Sequence, residues 1–321
     1  MKKNLIVLLI SLWSVAAYSQ TDSLGRKLDS LNKKTDDAGK QINNTHSSAY
    51  NYNTDLNVKS YFQLLGSDLK QSFTKPFHMN GKDWGRFGKF AVVAVGLSFA
   101  DEPIQKNAVD LVNNHASIRN ASSFITKFGG TYEVYTLAGL GAYGLVFKND
   151  KIKTTTLLAT QAYITAGAVE SVMKLLSGRT RPSAYTGTAS ETEPNFYGPF
   201  SKRAKNINGS KEYSSFPSGH TTVAFAAATV FAKEYSSSVF VPIIAYSAAT
   251  AIGLSRITEN KHWATDVLVG AALGYLSGKE VVNNYHRFAK LKAPQQNKNT
   301  AHLNIDYKFG HIMPGIIYSF K

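Results

Sequence analysis

Residues 216–222, Phe-Pro-Ser-Gly-His-Thr-Thr, stand directly before an apolar run that begins at Val223. Pro, Ser and Gly favour a tight turn, so this segment predicts the start of a helix. The first turn of a helix leaves backbone N–H groups without partners, and such groups bind anions. Gly219 lets a ligand approach the backbone closely, and His220 can exchange a proton with an anion bound there. The alternative is that Ser218 merely caps a helix and His220 is a surface histidine.

Six apolar runs rich in Ala and Gly follow one another from about Trp84, and most are longer than a strand. Runs of this length predict helices, and small residues suit close helix packing. We therefore expect an all-α fold, a helical bundle of about six core helices, as the domain of residues 85–290. The runs are Phe87–Ala100, Tyr135–Phe147, Thr154–Val172, Thr221–Ala232, Val239–Leu254 and Trp263–Leu276.

Only Ser236–Ser255 comes close to the roughly 20 apolar residues of a membrane-spanning helix. Pro242 and several hydroxyl side chains interrupt this stretch, and the other runs are shorter. The mean hydropathy of the whole chain is slightly negative. The pattern predicts a membrane-associated or partly embedded bundle rather than a polytopic protein.

The first nineteen residues have the parts of a secretory signal peptide. Residues 2–3 are basic, residues 5–15 are apolar, and Ala17 and Ser19 place small side chains before the expected cleavage site. We expect export to the periplasm or the cell envelope, with an uncleaved anchor or an ordinary buried helix as the alternative. The chain contains no Cys, which excludes disulfides, cysteine-ligated metal and a thiol nucleophile.

Polar segments flank the predicted bundle. Residues 20–84 have apolar side chains at helical spacing, so we expect an N-terminal arm with short amphipathic helices. Residues 291–321 form a tail in which apolar and polar residues alternate around Gly310, which predicts a short β-hairpin. Residues 182–215 are rich in Ser, Thr, Gly, Asn and Pro. This composition leaves two interpretations open, a substrate lid or a disordered insertion.

The formal charge of +15 favours an anionic partner: a phosphate ester, a nucleic acid or an acidic membrane surface. No nucleic-acid recognition motif accompanies the charge, so we expect no nucleic-acid partner. The remaining histidines show no metal-ligand spacing, and we expect no metal and no cofactor. The sequence leaves the oligomeric state open.

A second cluster consists of Lys174 and, after six intervening residues, Arg181-Pro182, with Arg179 close by. Lys174 ends an apolar run and Pro182 disfavours helix at the residue before it, so the basic groups lie where helix gives way to loop. Arg offers a planar fork to phosphate oxygens and Lys offers a point charge. Basic residues commonly end helices, so this cluster alone is a weak signal.

A third cluster is Ser255-Arg256, followed by His262 and then Asp266. His262 and Asp266 are four residues apart, so on a helix they share one face. A carboxylate on one imidazole nitrogen fixes the tautomer and leaves the other nitrogen free to attack. Arg256 adds a cation for a phosphate. Taken in isolation, the His–Asp pair is better explained as an ordinary helix-surface pair.

Together the three clusters resemble the signature of the type 2 phosphatidic acid phosphatase superfamily. Its pattern, Lys-x6-Arg-Pro, Pro-Ser-Gly-His and Ser-Arg-x5-His-x3-Asp, is matched in order at every defining position. The superfamily includes membrane lipid phosphatases, soluble bacterial acid phosphatases and vanadium haloperoxidases. The resemblance covers roughly residues 85 to 280. It implies a metal-independent phosphoric monoester or diphosphate hydrolase that works through a phosphohistidine.

The resemblance also implies a role for each residue. His262 attacks phosphorus, Asp266 orients it, and His220 protonates the leaving oxygen and later helps to activate water. Such an electrostatic cradle replaces the metal of many phosphoryl-transfer enzymes. The groups that hold the equatorial oxygens are Lys174, Arg181, Ser218, the Gly219 amide and Arg256.

The leading hypothesis is a cell-envelope phosphatase acting on a phosphorylated lipid, because the apolar bundle and the motif segments resemble the lipid-directed branch. An undecaprenyl diphosphate, a phosphatidate or a lipid A phosphate could each fit. A soluble periplasmic non-specific acid phosphatase is the alternative enzyme, and a vanadium haloperoxidase is less favoured. A non-catalytic envelope binding protein with a vestigial site is the alternative from another class, and the complete set of catalytic positions counts against it.

Overall fold

The structure, a computed structural model, describes residues 56–183, 193–199, 213–292, 300–308 and 311–319, the last two ranges as backbone only. The predicted signal peptide, the arm up to residue 55 and most of the segment 182–215 lie outside these ranges. The signal peptide and the first part of the arm therefore stay predictions, and both interpretations of the segment 182–215, a lid or a disordered insertion, stay open.

Nine α-helices account for most of the described residues before residue 293, and six of them contain the six apolar runs. The predicted all-α bundle is thus confirmed. Short 3₁₀ helices also occur at Lys75–His78 and Thr126–Gly129. The α-helices are α1 (Val58–Thr74), α2 (Gly81–Ser98), α3 (Asp101–Asn114), α4 (Ala116–Ile125), α5 (Thr131–Val146), α6 (Asp150–Ser177), α7 (Gly219–Glu234), α8 (Phe240–Thr258) and α9 (Ala264–Lys292).

Local signals in the sequence explain where several helices begin and end. Asn57, Asn80 and Asn149 cap α1, α2 and α6, each accepting a backbone N–H three residues ahead. Helix α6 ends at Gly178, whose φ of 54° is the left-handed conformation that glycine adopts at low cost. The chain turns there, and the basic segment that follows leaves the helix axis.

Helix α7 lies at the centre of the bundle and packs against α6, α8 and α9. The main core is built from small and branched residues, such as Ala162 on α6, Val230 on α7 and Val282 on α9. Helix α1 joins the same core through Leu64, which is 1% exposed. Part of the region expected to be a polar arm is therefore integral to the bundle.

Three glycines of α9 set how closely α7 and α9 approach. Gly270, Gly274 and Gly278 recur every fourth residue and face the backbone of α7. A β-carbon at Gly270 would lie 2.7 Å from the Ser218 carbonyl oxygen, and one at Gly274 would lie closer still to that of Thr222. The backbones of the two helices are therefore in direct contact, which places their N-terminal ends side by side.

The C-terminal tail contains two strands, β1 (Thr300–Lys308) and β2 (His311–Ser319). They pair antiparallel, with Thr300 opposite Ser319 and Lys308 opposite His311. This pairing agrees with the hairpin predicted from the alternation of apolar and polar residues.

We expect Gly274→Ala to lower the melting temperature or to prevent folding, because the added methyl overlaps a carbonyl of α7 that belongs to rigid backbone. Overpacking of this kind typically costs about 1–3 kcal/mol. The control is Gly139→Ala on α5, whose β-carbon meets no atom within 4 Å. Ala favours a helix over Gly by about 1 kcal/mol, so the control should match or exceed wild type in thermal unfolding. An unchanged melting temperature for Gly274→Ala would contradict the close packing.

Candidate active site

The three sequence clusters meet at one end of the bundle, where α6 and α8 end and α7 and α9 begin. The Ser218 N–H donates to the Asp266 carbonyl at 3.0 Å, which joins the cluster of residues 216–222 to the third cluster. A β-carbon at Gly219 would lie 3.1 Å from Lys174 Nζ, which joins residues 216–222 to the second cluster. The structure thus brings the predicted residues of all three clusters together.

His262 lies in the turn before α9 rather than on the helix that was expected to carry it. Its Nδ1 is 2.7 Å from the Ser215 carbonyl oxygen and 3.6 Å from Asp266 Oδ2. Because a carbonyl only accepts, Nδ1 carries a proton and donates it to Ser215. Nε2 is then the unprotonated nitrogen of the neutral ring, as a nucleophile requires.

Asp266 lies in the first turn of α9, with its carboxylate fully buried. Its Oδ2 accepts from the Trp263 N–H at 2.9 Å, as acidic side chains do at the third position of a helix. The same oxygen accepts from the Ser215 hydroxyl, and Oδ1 accepts from Arg179 Nη1 at 2.6 Å. Asp266 therefore reaches His262 chiefly through Ser215, a residue that the sequence analysis did not single out.

Arg179 lies two residues before Arg181 of the second cluster, but its side chain points into the protein and is 1% exposed. Its guanidinium bridges Asp266 and Asp101, with Nη2 2.6 Å from Asp101 Oδ2. Phe196 covers the guanidinium, with its ring centroid 4.8 Å away. The sequence analysis gave no role to Arg179 and missed Asp101, because Asp101 belongs to a helix that it did not predict.

The three cations expected to hold phosphate oxygens differ in their partners. Lys174 pairs with Glu170, one turn earlier on α6, and Arg256 pairs with Glu259. Arg181 instead donates to the Ser214 hydroxyl and carbonyl, both at 3.3 Å. Within the described residues it has no carboxylate partner. Among these three cations, Arg181 is therefore the one without an ion pair to a carboxylate in the described residues.

The backbone at the start of α7 is open to close approach by neighbouring groups. Ser218 precedes the helix, but its hydroxyl bonds Thr221 Oγ1 at 2.8 Å and does not cap the helix. A β-carbon at Gly219 would lie 2.6 Å from Glu170 Oε1, so a larger residue would displace the Glu170–Lys174 pair. The absence of a side chain at Gly219 keeps the helix N-terminus in contact with this cation.

His220 packs against the glycines that precede α5. A β-carbon at Gly129 would lie 2.9 Å from His220 Cβ, and one at Gly130 would lie 3.4 Å from Nε2. Burial, together with the positive charges of Arg256, Lys174 and Arg181, lowers the pKa of His220 to about 4. The ring is therefore neutral at pH 7 until an anion among the same cations raises this pKa.

The His262 imidazole is subject to the same effects. Burial first, and then Arg181, Lys174 and Arg256, hold its pKa well below the ordinary value. A ring that stays neutral keeps its Nε2 lone pair available at neutral pH. Both imidazoles thus respond to the same three cations, which is the electrostatic sign that all five groups share one site.

Comparisons with known proteins bear on the resemblance to the type 2 phosphatidic acid phosphatase superfamily. The PAP2 superfamily model matches residues 155–290, which confirms the resemblance predicted from the three clusters. A lipid A 1-phosphatase of Porphyromonas gingivalis is 35% identical over 163 residues, 50% of this chain and 31% of the relative. A probable diacylglycerol pyrophosphate phosphatase 1 of Schizosaccharomyces pombe is 37% identical over 75 residues, 20% of this chain and 27% of the relative. The chain thus spans less than a third of the length of these curated relatives.

Two solved structures resemble the chain, each at 22% sequence identity. The transmembrane PAP2 type phosphatidylglycerolphosphate phosphatase from Bacillus subtilis has a TM-score of 0.42 and covers 61% of this chain and 91% of its own. LpxE from Aquifex aeolicus has a TM-score of 0.37 and covers 55% of this chain and 92% of its own.

We expect inorganic phosphate to raise the melting temperature of the protein, because a ligand that binds only the folded state stabilises it. Arg181→Ala should shrink this shift, since it removes the cation that lacks a carboxylate partner in the described structure. Lys106→Ala, on the exposed side of α3, is the matched loss of one positive charge and should leave the shift unchanged. Thermal unfolding over a phosphate titration measures the effect. Equal shifts in Arg181→Ala and wild type would exclude Arg181 from the anion site.

Proposed function

We propose that this chain, whose residues 155–290 match the PAP2 superfamily, hydrolyses the phosphate or diphosphate of a lipid in the cell envelope without a metal. The observation that carries the proposal is the meeting of two imidazoles and three cations at one end of the bundle. The imidazoles are His220 and His262, and each has its pKa lowered by all three cations. This arrangement supports the roles of a nucleophile, an acid and an oxyanion cradle in one place.

In the first step, Nε2 of His262 attacks phosphorus, and a P–N bond forms as the bond to the leaving oxygen breaks. His220 gives that oxygen its proton, so the leaving group departs as an alcohol, or as a phosphate when the substrate is a diphosphate. In the second step, His220 takes a proton from water, which attacks the phosphohistidine. Inorganic phosphate leaves, and both imidazoles return to their starting protonation states.

The surrounding groups stabilise the charges that develop in these steps. His262 becomes positively charged in the intermediate, and the Ser215 carbonyl and the Asp266 carboxylate lie on the Nδ1 side of its ring. Lys174, Arg181 and Arg256 offer donors to the phosphoryl oxygens. The free N–H groups at the start of α7 add further donors. Groups that are already in place act in the transition state without the cost of reorganisation.

Exposed apolar surface supports a lipid substrate over a water-soluble ester. Large apolar side chains face outward on three helices, and α8 is, among the described residues, the one helix long and apolar enough to cross a membrane. Large apolar side chains that remain exposed on a helix are typical of contact with lipid or another protein. Examples are Phe87 and Val92 on α2, Tyr135 and Val146 on α5, and Phe240 and Ile244 on α8.

The names of the relatives point in the same direction, since one is a lipid A 1-phosphatase and another a probable diacylglycerol pyrophosphate phosphatase. We therefore propose membrane association, with the active site on the periplasmic side. The orientation rests on the predicted signal peptide.

We expect His262→Ala to lose more than about 10⁴-fold in phosphate release, because the variant lacks the ring nitrogen proposed to form the covalent intermediate. The assay measures phosphate release from a panel of lipid phosphates, lipid diphosphates and water-soluble monoesters, with and without EDTA. His115→Ala, an exposed histidine at the end of α3, is the control and should keep wild-type activity. Activity that survives His262→Ala would refute the nucleophile, and activity abolished by EDTA would refute the metal-independent mechanism. Release from water-soluble esters alone would overturn the lipid assignment.

For a phosphate monoester, kcat/KM should be largest between about pH 4 and about pH 6. The free enzyme needs protonated His220, whose pKa is about 4, so the competent fraction falls as pH rises above that value. The ester needs its second ionisation, near pH 6, to present a dianion. Once bound, the dianion raises the pKa of His220, so kcat should stay high to a more alkaline pH than kcat/KM does. His220→Ala should abolish the alkaline decline of kcat, and a decline that persists in this variant would contradict the acid assignment.

A further inference from the structure

We infer that Asp101 and Arg179 are positioning residues that hold the nucleophile His262 in its attacking orientation, acting through Asp266 and Ser215. The inference rests on the proposed function, and it extends the active site to α3, which lies outside the residues matched by the superfamily model. Neither residue belongs to the predicted set of catalytic and phosphate-binding groups.

The first step of the argument is that Arg179 is held between two carboxylates. Its Nη1 is 2.6 Å from Asp266 Oδ1, and its Nη2 is 2.6 Å from Asp101 Oδ2. Asp101 and Asp266 are fully buried, and Arg179 is 1% exposed. Buried charges of this kind are tolerated only when they are paired in good geometry. Each member of the triad therefore determines where the other two can lie.

The second step is that Asp101 also ties this triad to the start of α9. Its Oδ1 accepts from the Thr265 N–H at 2.9 Å, and its Oδ2 accepts from the Thr265 hydroxyl at 2.8 Å. Thr265 directly precedes Asp266 in the chain. Asp101 thus fixes both the guanidinium that binds Asp266 and the backbone that carries it.

The third step leads from Asp266 to the nucleophile. With Oδ1 held by Arg179, Oδ2 is turned toward the Ser215 hydroxyl. That bond fixes Ser215, and the Ser215 carbonyl accepts the Nδ1 proton of His262 at 2.7 Å. The contacts therefore form one continuous chain from α3 to the imidazole.

Removal of the Asp101 charge leaves Arg179 with a single carboxylate partner. The planar guanidinium can then turn and bind both oxygens of Asp266. That competes with Ser215 for Oδ2, and the restraint on Ser215 and on the His262 ring weakens. The phosphate-binding cations hydrogen-bond to other groups, namely Glu170, Ser214 and Glu259. The loss should consequently fall on kcat and not on KM.

The main test is Asp101→Asn, which keeps the size of the side chain and removes its charge. We expect kcat to fall about 10- to 100-fold with KM unchanged, by analogy with the loss of a hydrogen-bond partner that orients a metal-bound histidine. The matched control is Asp68→Asn, a buried aspartate bonded to Asn284 on a distant part of α9. This variant makes the same replacement of a carboxyl by an amide far from the site, so it can lower the melting temperature but should keep kcat.

A double-mutant cycle separates positioning from a general loss of structure. Ser215→Ala removes only the hydroxyl and should itself lower kcat. If Asp101 acts through the same path, Asp101→Asn should cost less in the Ser215→Ala background than in wild type, because contacting groups in one network are not additive. Asp68→Asn and Ser215→Ala should combine additively. Additive effects of Asp101→Asn and Ser215→Ala would overturn the inference.

Arg179→Lys provides a second variant should Asp101→Asn not fold, since it keeps the charge and loses the fork that spans two carboxylates. It should show the same fall in kcat. Wild-type kcat in Asp101→Asn, in Arg179→Lys or in Ser215→Ala would overturn the inference, as would a raised KM at constant kcat. Wild type and His262→Ala distinguish a failure of the proposed function from a failure of this inference. If the proposed function is wrong, either wild type releases no phosphate or His262→Ala releases phosphate as well.

Discussion

The backbone contact between α7 and α9 is the constraint on which the site depends. Three glycines of α9 allow the carbonyls of α7 to approach closely, and this contact sets the two helix starts beside each other. The Ser218 N–H can then donate to the Asp266 carbonyl, so the turn before α7 and the first turn of α9 form one unit. His220 lies in the first turn of α7 and His262 in the turn before α9, and Lys174 of α6 and Arg256 of α8 lie near them.

The charges around the site favour the binding of an anion. Lys174 is balanced by Glu170 on the same helix and Arg256 by Glu259, the residue after the end of α8. Arg181 is left with carbonyl and hydroxyl partners. The imidazoles are kept neutral by burial and by the same cations. Entry of a phosphate adds negative charge where the cations converge, which favours a proton on His220. The substrate itself thus helps to prepare the acid that expels its leaving group.

The sequence predicted the parts of the fold that carry long apolar runs, and it missed α3 and α4. Those two helices are polar, and they contact the bundle through groups such as Asp101, Gln105 and Ser122. The site motifs could be recognised because their spacing is local. The links through Arg179 and Ser215 could not, since they join residues 87 and 51 positions apart. His262 was expected on a helix face, but the Asp266 side chain caps α9 and leaves the histidine in the turn before it.

All the reactive groups lie at helix ends, on one side of a bundle whose longest helices exceed 25 residues. The opposite side is held by separate buried polar pairs, Glu234 with His286 and Asp68 with Asn284. The distal halves of these helices can therefore accumulate substitutions, or gain or lose whole turns, while the reacting atoms keep their places. Such a division lets one chemistry serve scaffolds of different height and different outer surface.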